Sequence, residues 1–232
     1  MADERIPDEV VERYKKVAVA TVYGGVRRQG YEPCFMRGIR NFTPGQSLVG
    51  RARTLRFIPP RPDIMKEVHN GEDSPEYRAM GSCGPGDVLV CDAMGREYAA
   101  IGGDVKLLQL KMVGAEGVVT DGAIRDLDII RGYGLKIFAK GRTPTGGAPE
   151  VDSFEDNVTI GCGGVAVRPG DLIVADDDGV VVVARQIAAE VIDWVEEHEQ
   201  AEEYVKSLIE KEGVAPGKYY PITEETVRLS RE

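Results

Sequence analysis

Between Gly84 and Ala139 the chain changes its hydrophobic rhythm at short intervals, and that alternation limits the folds open to it. Gly84-Pro85-Gly86-Asp87 is a turn that delivers the apolar run Val88-Leu89-Val90-Cys91. After Gly103, the residues Val105, Leu108 and Met112 recur at helical spacing up to Gly114. Gly117-Val118-Val119-Thr120 reads as a second strand, followed by a loop, a helix over residues 127–133, and a third strand Lys136-Ile137-Phe138-Ala139. Short apolar runs alternating with helices mark buried strands joined by helical crossovers, hence a largely parallel sheet. The fold class expected is α/β.

The flanks extend this plan. Residues 7–17 read as an amphipathic helix with Val10, Tyr14 and Val17 on one face. Residues 47–58 read as a strand ended by Pro59-Pro60, and residues 70–78 as a charged, exposed excursion. Beyond the Gly/Pro-rich loop at 143–148, short strands are expected near 158–160, 165–167, 171–175 and 180–184. Arg168-Pro169-Gly170-Asp171 and Asp176-Asp177-Asp178-Gly179 are the turns between them. This β-rich half is expected to close or cap the parallel part. A helix over about 186–212, with Gly213 as its C-cap, follows. Its narrow apolar face and heavy acidic load fit a solvated outer layer or a contact with another subunit.

Composition excludes several roles. No run of about 18 apolar residues appears, the length a membrane-spanning helix needs, so no membrane association is expected. Met1-Ala2-Asp3-Glu4-Arg5 has no basic region leading into an apolar stretch, so no secretory leader is expected. Cys34, Cys83, Cys91 and Cys162 are widely spaced, with no C-x-x-C pair, which points to free thiols and the cytoplasm. Asp and Glu number 39 against 29 Lys and Arg, and the net charge of −10 disfavours binding of nucleic acid through its phosphates. An anionic small substrate stays open, because a local Arg can reverse the field inside a pocket. His69 and His198 stand far apart in polar surroundings, which removes most zinc sites and His-based nucleophilic triads.

Two stretches carry possible chemistry. In open α/β sheets ligands bind beyond the carboxyl ends of the strands, and Thr120-Asp121-Gly122-Ala123-Ile124-Arg125-Asp126 falls there. Arg125 offers a planar fork for a carboxylate, and Asp126 is a hard oxygen ligand of the type Mg²⁺ takes. The same pair also fits a surface ion-pair network, with Asp126 or Asp121 capping the next helix; spacing alone does not separate the two. Gly102-Gly103-Asp104-Val105 opens a helix whose free N–H groups suit an anion, and it equally reads as a plain Gly-rich turn. Asp176-Asp177-Asp178 lacks the twelve-residue calcium loop and reads as a tight hairpin turn.

Taken in order, Gly102-Gly103-Asp104, the run from Gly117 to Asp126, Ile137-Phe138-Ala139-Lys140-Gly141, Arg168-Pro169-Gly170-Asp171 and Ala175-Asp176-Asp177-Asp178-Gly179-Val180-Val181-Val182-Val183 resemble the RraA-like superfamily. That group contains the regulator of ribonuclease E activity and class II pyruvate aldolases acting on 4-hydroxy-4-methyl-2-oxoglutarate and 4-carboxy-4-hydroxy-2-oxoadipate. The resemblance implies a swivelling β/β/α domain over residues 1–232, core about 84–213, with an N-terminal helical extension and a long C-terminal helix. It also implies a homotrimer or homohexamer with sites at subunit interfaces. By the same resemblance Arg125 binds the pyruvyl group, and Asp126 holds Mg²⁺ or Mn²⁺ within a shell of water. Gly103, Asp104, Val105 and Lys106 offer backbone N–H groups to the substrate carboxylate. An acid of a neighbour's C-terminal helix approaches the metal, with Glu203 the expected residue and Glu202 and Glu199 close behind. The aldolases carry a further acid three residues after the metal Asp; here that position is Ile129, and Asp128 lies one residue early.

The function expected is therefore a metal-dependent carbon–carbon lyase, aldolase or decarboxylase, working on a 2-keto acid through a pyruvate enolate. Two alternatives stand beside it. One is a non-enzymatic regulator that binds ribonuclease E-like proteins through an acidic surface. The other is a lyase or dehydratase of a sugar-derived 2-keto acid.

Overall fold

The protein, seen in a computed structural model, is described over residues 5–231. Residues 1–4, on which the reading against a leader rests, lie outside the described residues. In chain order the elements are α1 (Asp8–Tyr14), α2 (Val19–Arg28), β1 (Arg40–Asn41), β2 (Leu48–Ile58), α3 (Pro62–Val68), α4 (Pro75–Gly81), β3 (Asp87–Asp92), β4 (Ala100–Gly102), α5 (Asp104–Val113) and β5 (Gly117–Ile124). They continue with α6 (Leu127–Ile130), β6 (Lys136–Arg142), β7 (Asp152–Asp156), β8 (Ile160–Cys162), β9 (Val165–Val167), β10 (Leu172–Asp176), β11 (Gly179–Val183), α7 (Ala188–Glu212) and α8 (Glu224–Leu229).

One mixed sheet organises the chain, in the order β1-β6-β5-β3-β2-β10-β11, with β4 added on β5 and β7 on β2. Its centre is parallel: β2, β3, β5 and β6 run the same way. Its flanks are antiparallel, β1 on β6 and β10 on β2. The β-rich second half caps the parallel part only in its β8–β9 portion; β7, β10 and β11 extend the same sheet through β2. The separate hairpin of β8 and β9 lies against one face of it. Asp176 pairs with Gly179 across the β10–β11 turn, so the Asp-Asp-Asp-Gly run is a hairpin turn as expected.

The helices cover one face of the sheet and the β8–β9 hairpin the other. α4, α5 and α6 bury Met80, Leu107, Leu110 and Ile130 against Leu89, Val118 and Ile137. α1, α2 and the first half of α7 pack Tyr14, Val22, Val26, Val191 and Val195 on β10 and β11. That contact settles the amino-terminal half of α7, whose apolar stripe is inside; the second half buries Ala201 and Val205 and turns Glu203 outward. Residues 70–78 only partly match the exposed excursion expected of them: the turn at Gly71–Asp73 is exposed, but Pro75 and Glu76 open a helix that buries Ala79 and Met80. No helix among the described residues is long and apolar enough to cross a membrane.

Candidate active site

β5 runs four residues beyond the expected strand, through Asp121-Gly122-Ala123-Ile124, so most of the motif lies inside the sheet rather than in a loop. Its pairing with β6 shifts register between Thr120 and Ala123, and there β4 joins it on the other side. Gly122 is the reason the strands close so tightly: a Cβ on it would stand 2.7 Å from Ala93 Cβ and 3.2 Å from Ile101 Cγ2. Asp121 is buried and points back into the fold, accepting N–H bonds from Ala93 (2.7 Å) and Gly163 (3.4 Å). Burial pushes its carboxyl above the ordinary carboxylate range. It is a tie between loops and caps no helix.

The chain leaves the sheet at Arg125, whose N–H still bonds Gly102 O at 3.3 Å. Asp126 then takes a left-handed backbone (φ 58°, ψ 35°) as it starts α6. For a residue other than Gly that conformation is uncommon and tends to persist where surroundings enforce it. Its carbonyl accepts the N–H groups of Ile129 and Ile130, both at 3.1 Å, but its carboxylate makes no capping bond. Instead Oδ2 accepts the Asp104 N–H at 3.3 Å and lies 3.2 Å from Arg125 Nε. An ion pair is therefore present, yet it stands alone. Among the described residues Arg125 Nη1 and Nη2 and Asp126 Oδ1 have no partner within bonding distance.

Gly103 is what lets this pair sit down on the helix. A Cβ there would overlap Asp126 Oδ2 and come within 2.7 Å of Arg125 Nε. The first bond inside α5 runs from Leu107 N–H to Gly103 O, 3.0 Å, which leaves the N–H groups of Asp104, Val105 and Lys106 ahead of the helical ladder. Gly103, Asp104, Arg125 and Asp126 are thus brought together as expected. Arg125 forms the wall between two hollows. One, of about 180 Å³, is bounded by Gly102, Gly103, Lys106 and the loop at Gly146-Gly147. The other, an open groove of about 600 Å³, is bounded by Asp126, Asp128, Ile129, Arg131 and Arg142.

The remaining expected residues fall differently. Lys106 directs its ammonium away to the buried Glu76, 3.0 Å, whose other oxygen takes the Ser153 hydroxyl. Val105 is 80% exposed and shares an uncovered apolar stripe with Leu108 and Met112, so that face of α5 does not enter the core; Leu107 and Leu110 do. Glu203 lies on the outer half of α7 paired with Lys206 at 2.6 Å, and it lines neither hollow in its own chain. Sequence reasoning missed Arg142, Gly146 and Gly147. The first had a signal: it follows the third strand at its carboxyl end, level with Ile124.

Metal chemistry can be weighed on the donors alone. Among the described residues no three His, Cys, Asp or Glu side chains gather into a cage. Mg²⁺ and Mn²⁺ need no such cage, since they take one or two carboxylates and keep several waters. Asp126, with one oxygen undonated, fits.

Residues 16–182 match the family model described as Aldolase/RraA. The chain belongs to the RraA-like family. RraAS2 of Streptomyces coelicolor, described as an unusual member of the RNase ES inhibitor RraA family, is 34% identical, with a TM-score of 0.81 over 88% of this chain and 100% of that one. An uncharacterised Pseudomonas syringae protein shows the same RraA-like fold, with a TM-score of 0.81 at 24% identity over 99% of this chain and 97% of that one. A candidate 4-hydroxy-4-methyl-2-oxoglutarate aldolase of Halalkalibacterium halodurans is 38% identical over 147 residues, 63% of this chain and 64% of that protein. The matches to curated relatives span less than two thirds of their length, 55% for a Methanocaldococcus jannaschii protein and 27% for protein DlpA of Legionella pneumophila.

Proposed function

We propose that this RraA-like chain is a divalent-metal-dependent carbon–carbon lyase of the pyruvate aldolase or oxaloacetate decarboxylase type, acting on a 2-keto acid such as 4-hydroxy-4-methyl-2-oxoglutarate. The observation that carries it is the seat Gly103 makes for Arg125 and Asp126 at the start of α5. The free edge of the Arg125 guanidinium binds the substrate carboxylate in a bidentate manner. N–H groups of Val105 and Lys106 add to it at the helix start. The hollow of about 180 Å³ admits the three-carbon pyruvyl part, and the larger groove takes the remainder. Asp126 would hold Mg²⁺ or Mn²⁺, and the cation would supply Lewis-acid stabilisation of charge developing on the 2-keto oxygen. Proton transfer falls to water, since Lys106 is committed to Glu76 and neither His lines either hollow.

The stripe of Val105, Leu108 and Met112 borders this site, and a second copy of the chain is its occupant in this reading. A homotrimer or homohexamer would cover the stripe and bring Glu203 of a neighbour toward Asp126. Sedimentation of Met112→Glu against the parent chain tests the assembly. The four cysteines are buried and free, in keeping with the cytoplasm.

The decisive experiment measures pyruvate released from a panel of 2-keto acids. Turnover should vanish with EDTA and return with Mg²⁺ or Mn²⁺. A folded Arg125→Ala protein with full activity would sink the assignment. The kinship to RraAS2 favours one other reading, a regulator that binds a ribonuclease. It predicts tight, salt-sensitive binding to a ribonuclease E-type enzyme and no turnover of any 2-keto acid.

A further inference from the structure

At the opposite edge of the parallel strands lies a second concave site, and its charge runs against that of the chain. Five arginines, Arg5, Arg51, Arg53, Arg168 and Arg185, line a cavity of about 400 Å³. The chain as a whole carries −10. Arg53 of β2 is level with Leu89 of β3 and so with Val118 near the start of β5. Arg125 leaves the far end of β5 seven residues on, roughly 23 Å at about 3.3 Å per residue. The cavity is therefore separate from the candidate active site.

Its walls are built rather than incidental. Arg51 is almost wholly buried, held by two bonds to Ile6 O (2.9 and 2.6 Å) and by Asp8. Among the described residues Arg53 gives only its Nε to Asp87, 3.1 Å, and keeps its outer Nη edge. Arg185 Nη1 donates to Pro169 O at 3.0 Å, which fixes its direction. The Arg168 guanidinium forms no ion pair among the described residues. Among the described residues the carboxylates beside it include Asp8, Asp87 and the buried Asp171, which spends both oxygens on the N–H groups of Arg168 and Arg185. Among the described residues the Nη groups of Arg53 and the guanidinium of Arg168 are thus left on the cavity lining without a carboxylate. Clustered planar forks on rigid strands suit tetrahedral oxyanions, and the volume exceeds what one phosphate fills.

We propose that this cavity binds a small anion bearing two linked phosphoryl groups, inorganic pyrophosphate or a nucleoside diphosphate. Calorimetric titration of the whole protein at low salt with phosphate, pyrophosphate and a nucleoside diphosphate tests it. Pyrophosphate should bind at least tenfold tighter than phosphate and weaken on raising salt. A diphosphate arm that matches pyrophosphate assigns the contact to the phosphates; one that exceeds it tenfold assigns a further contact to the nucleoside. Arg168→Met, which breaks no ion pair among the described residues, and Arg53→Met should each weaken binding about tenfold with pyruvate release unchanged. Arg125→Ala should leave pyrophosphate affinity untouched. No binding of any of the three anions, or equal affinity in parent and Arg168→Met proteins of unchanged melting temperature, overturns the proposal. So does a loss confined to Arg125→Ala, which would put the anion at the other site.

Discussion

Asp121 and Asp126 stand five residues apart in one motif, yet the fold treats them as opposites. Asp121 is buried inside β5, takes two backbone N–H bonds and is pushed toward its neutral form. Asp126 is half-exposed, sits on a left-handed backbone and keeps an oxygen free of donors. What separates them is position along the strand, not residue type. The inner half of the motif locks the loops after β3 and β8 to the sheet, and the outer half faces the hollows with valences to spare. A pair of carboxylates in a motif is thus one structural tie and one group left open to a ligand.

The largest effect expected would break this division if it fell in the wrong place. Arg125→Ala should lower pyruvate-releasing turnover by about 10²–10³, the usual cost of an electrostatic stabiliser, with an unchanged melting curve. An equal loss in a well-folded Asp121→Asn protein would erase the distinction. Next, Gly103→Ala forces the Arg–Asp pair off its seat, and misplacement of that kind costs about 10²-fold. Steady-state kinetics should show it, together with loss of Mg²⁺ or Mn²⁺ affinity and a melting temperature close to the parent's.

Asp121→Asn should instead appear in stability. Leaving buried N–H groups short of an acceptor costs about 1–3 kcal/mol, read by urea unfolding, while turnover per folded molecule persists. Its pH dependence follows from the direction of the shift. A carboxyl raised above 3.8 in the folded state favours the fold most below that value and loses this contribution as pH rises through the raised value. The variant should therefore be penalised more near pH 4 than near pH 7, by about the linkage difference. The smallest effect concerns the thiols. Burial pushes Cys83 up to about 12 and also raises Cys91 and Cys162, so a thiolate-seeking reagent at pH 8 should label these three in the native protein slowly.

Much of this was legible in the residues. The alternation from Gly84 to Ala139 gave the parallel centre, and the strand-end rule located Arg125 and Asp126. The failures have physical causes. Asp121 and Gly122 have turn propensity, but pairing with β4 and β6 holds them in the sheet, which local preference does not report. The α5 sequence is apolar on two sides. Periodicity found the stripe of Val105, Leu108 and Met112, yet the sheet buries Leu107 and Leu110. Residues 70–78 look charged because the exposed turn at Gly71–Asp73 precedes the buried Glu76, a side chain neutralised by Lys106 far along the chain. Long-range partners of this kind leave no local trace.

The position of β2 has a consequence for how the chain reaches this state. One of its edges is satisfied early, by β3, within the first hundred residues. The other waits for β7 and then β10, about 100 and 120 residues later, which at 5–20 residues per second of synthesis is roughly 5–24 s. Until β7 is made, a long strand presents an open row of peptide groups, and pairing across so great a separation is intrinsically slow. Chaperone dependence during biosynthesis would then be decided at β2, far from anything that touches substrate.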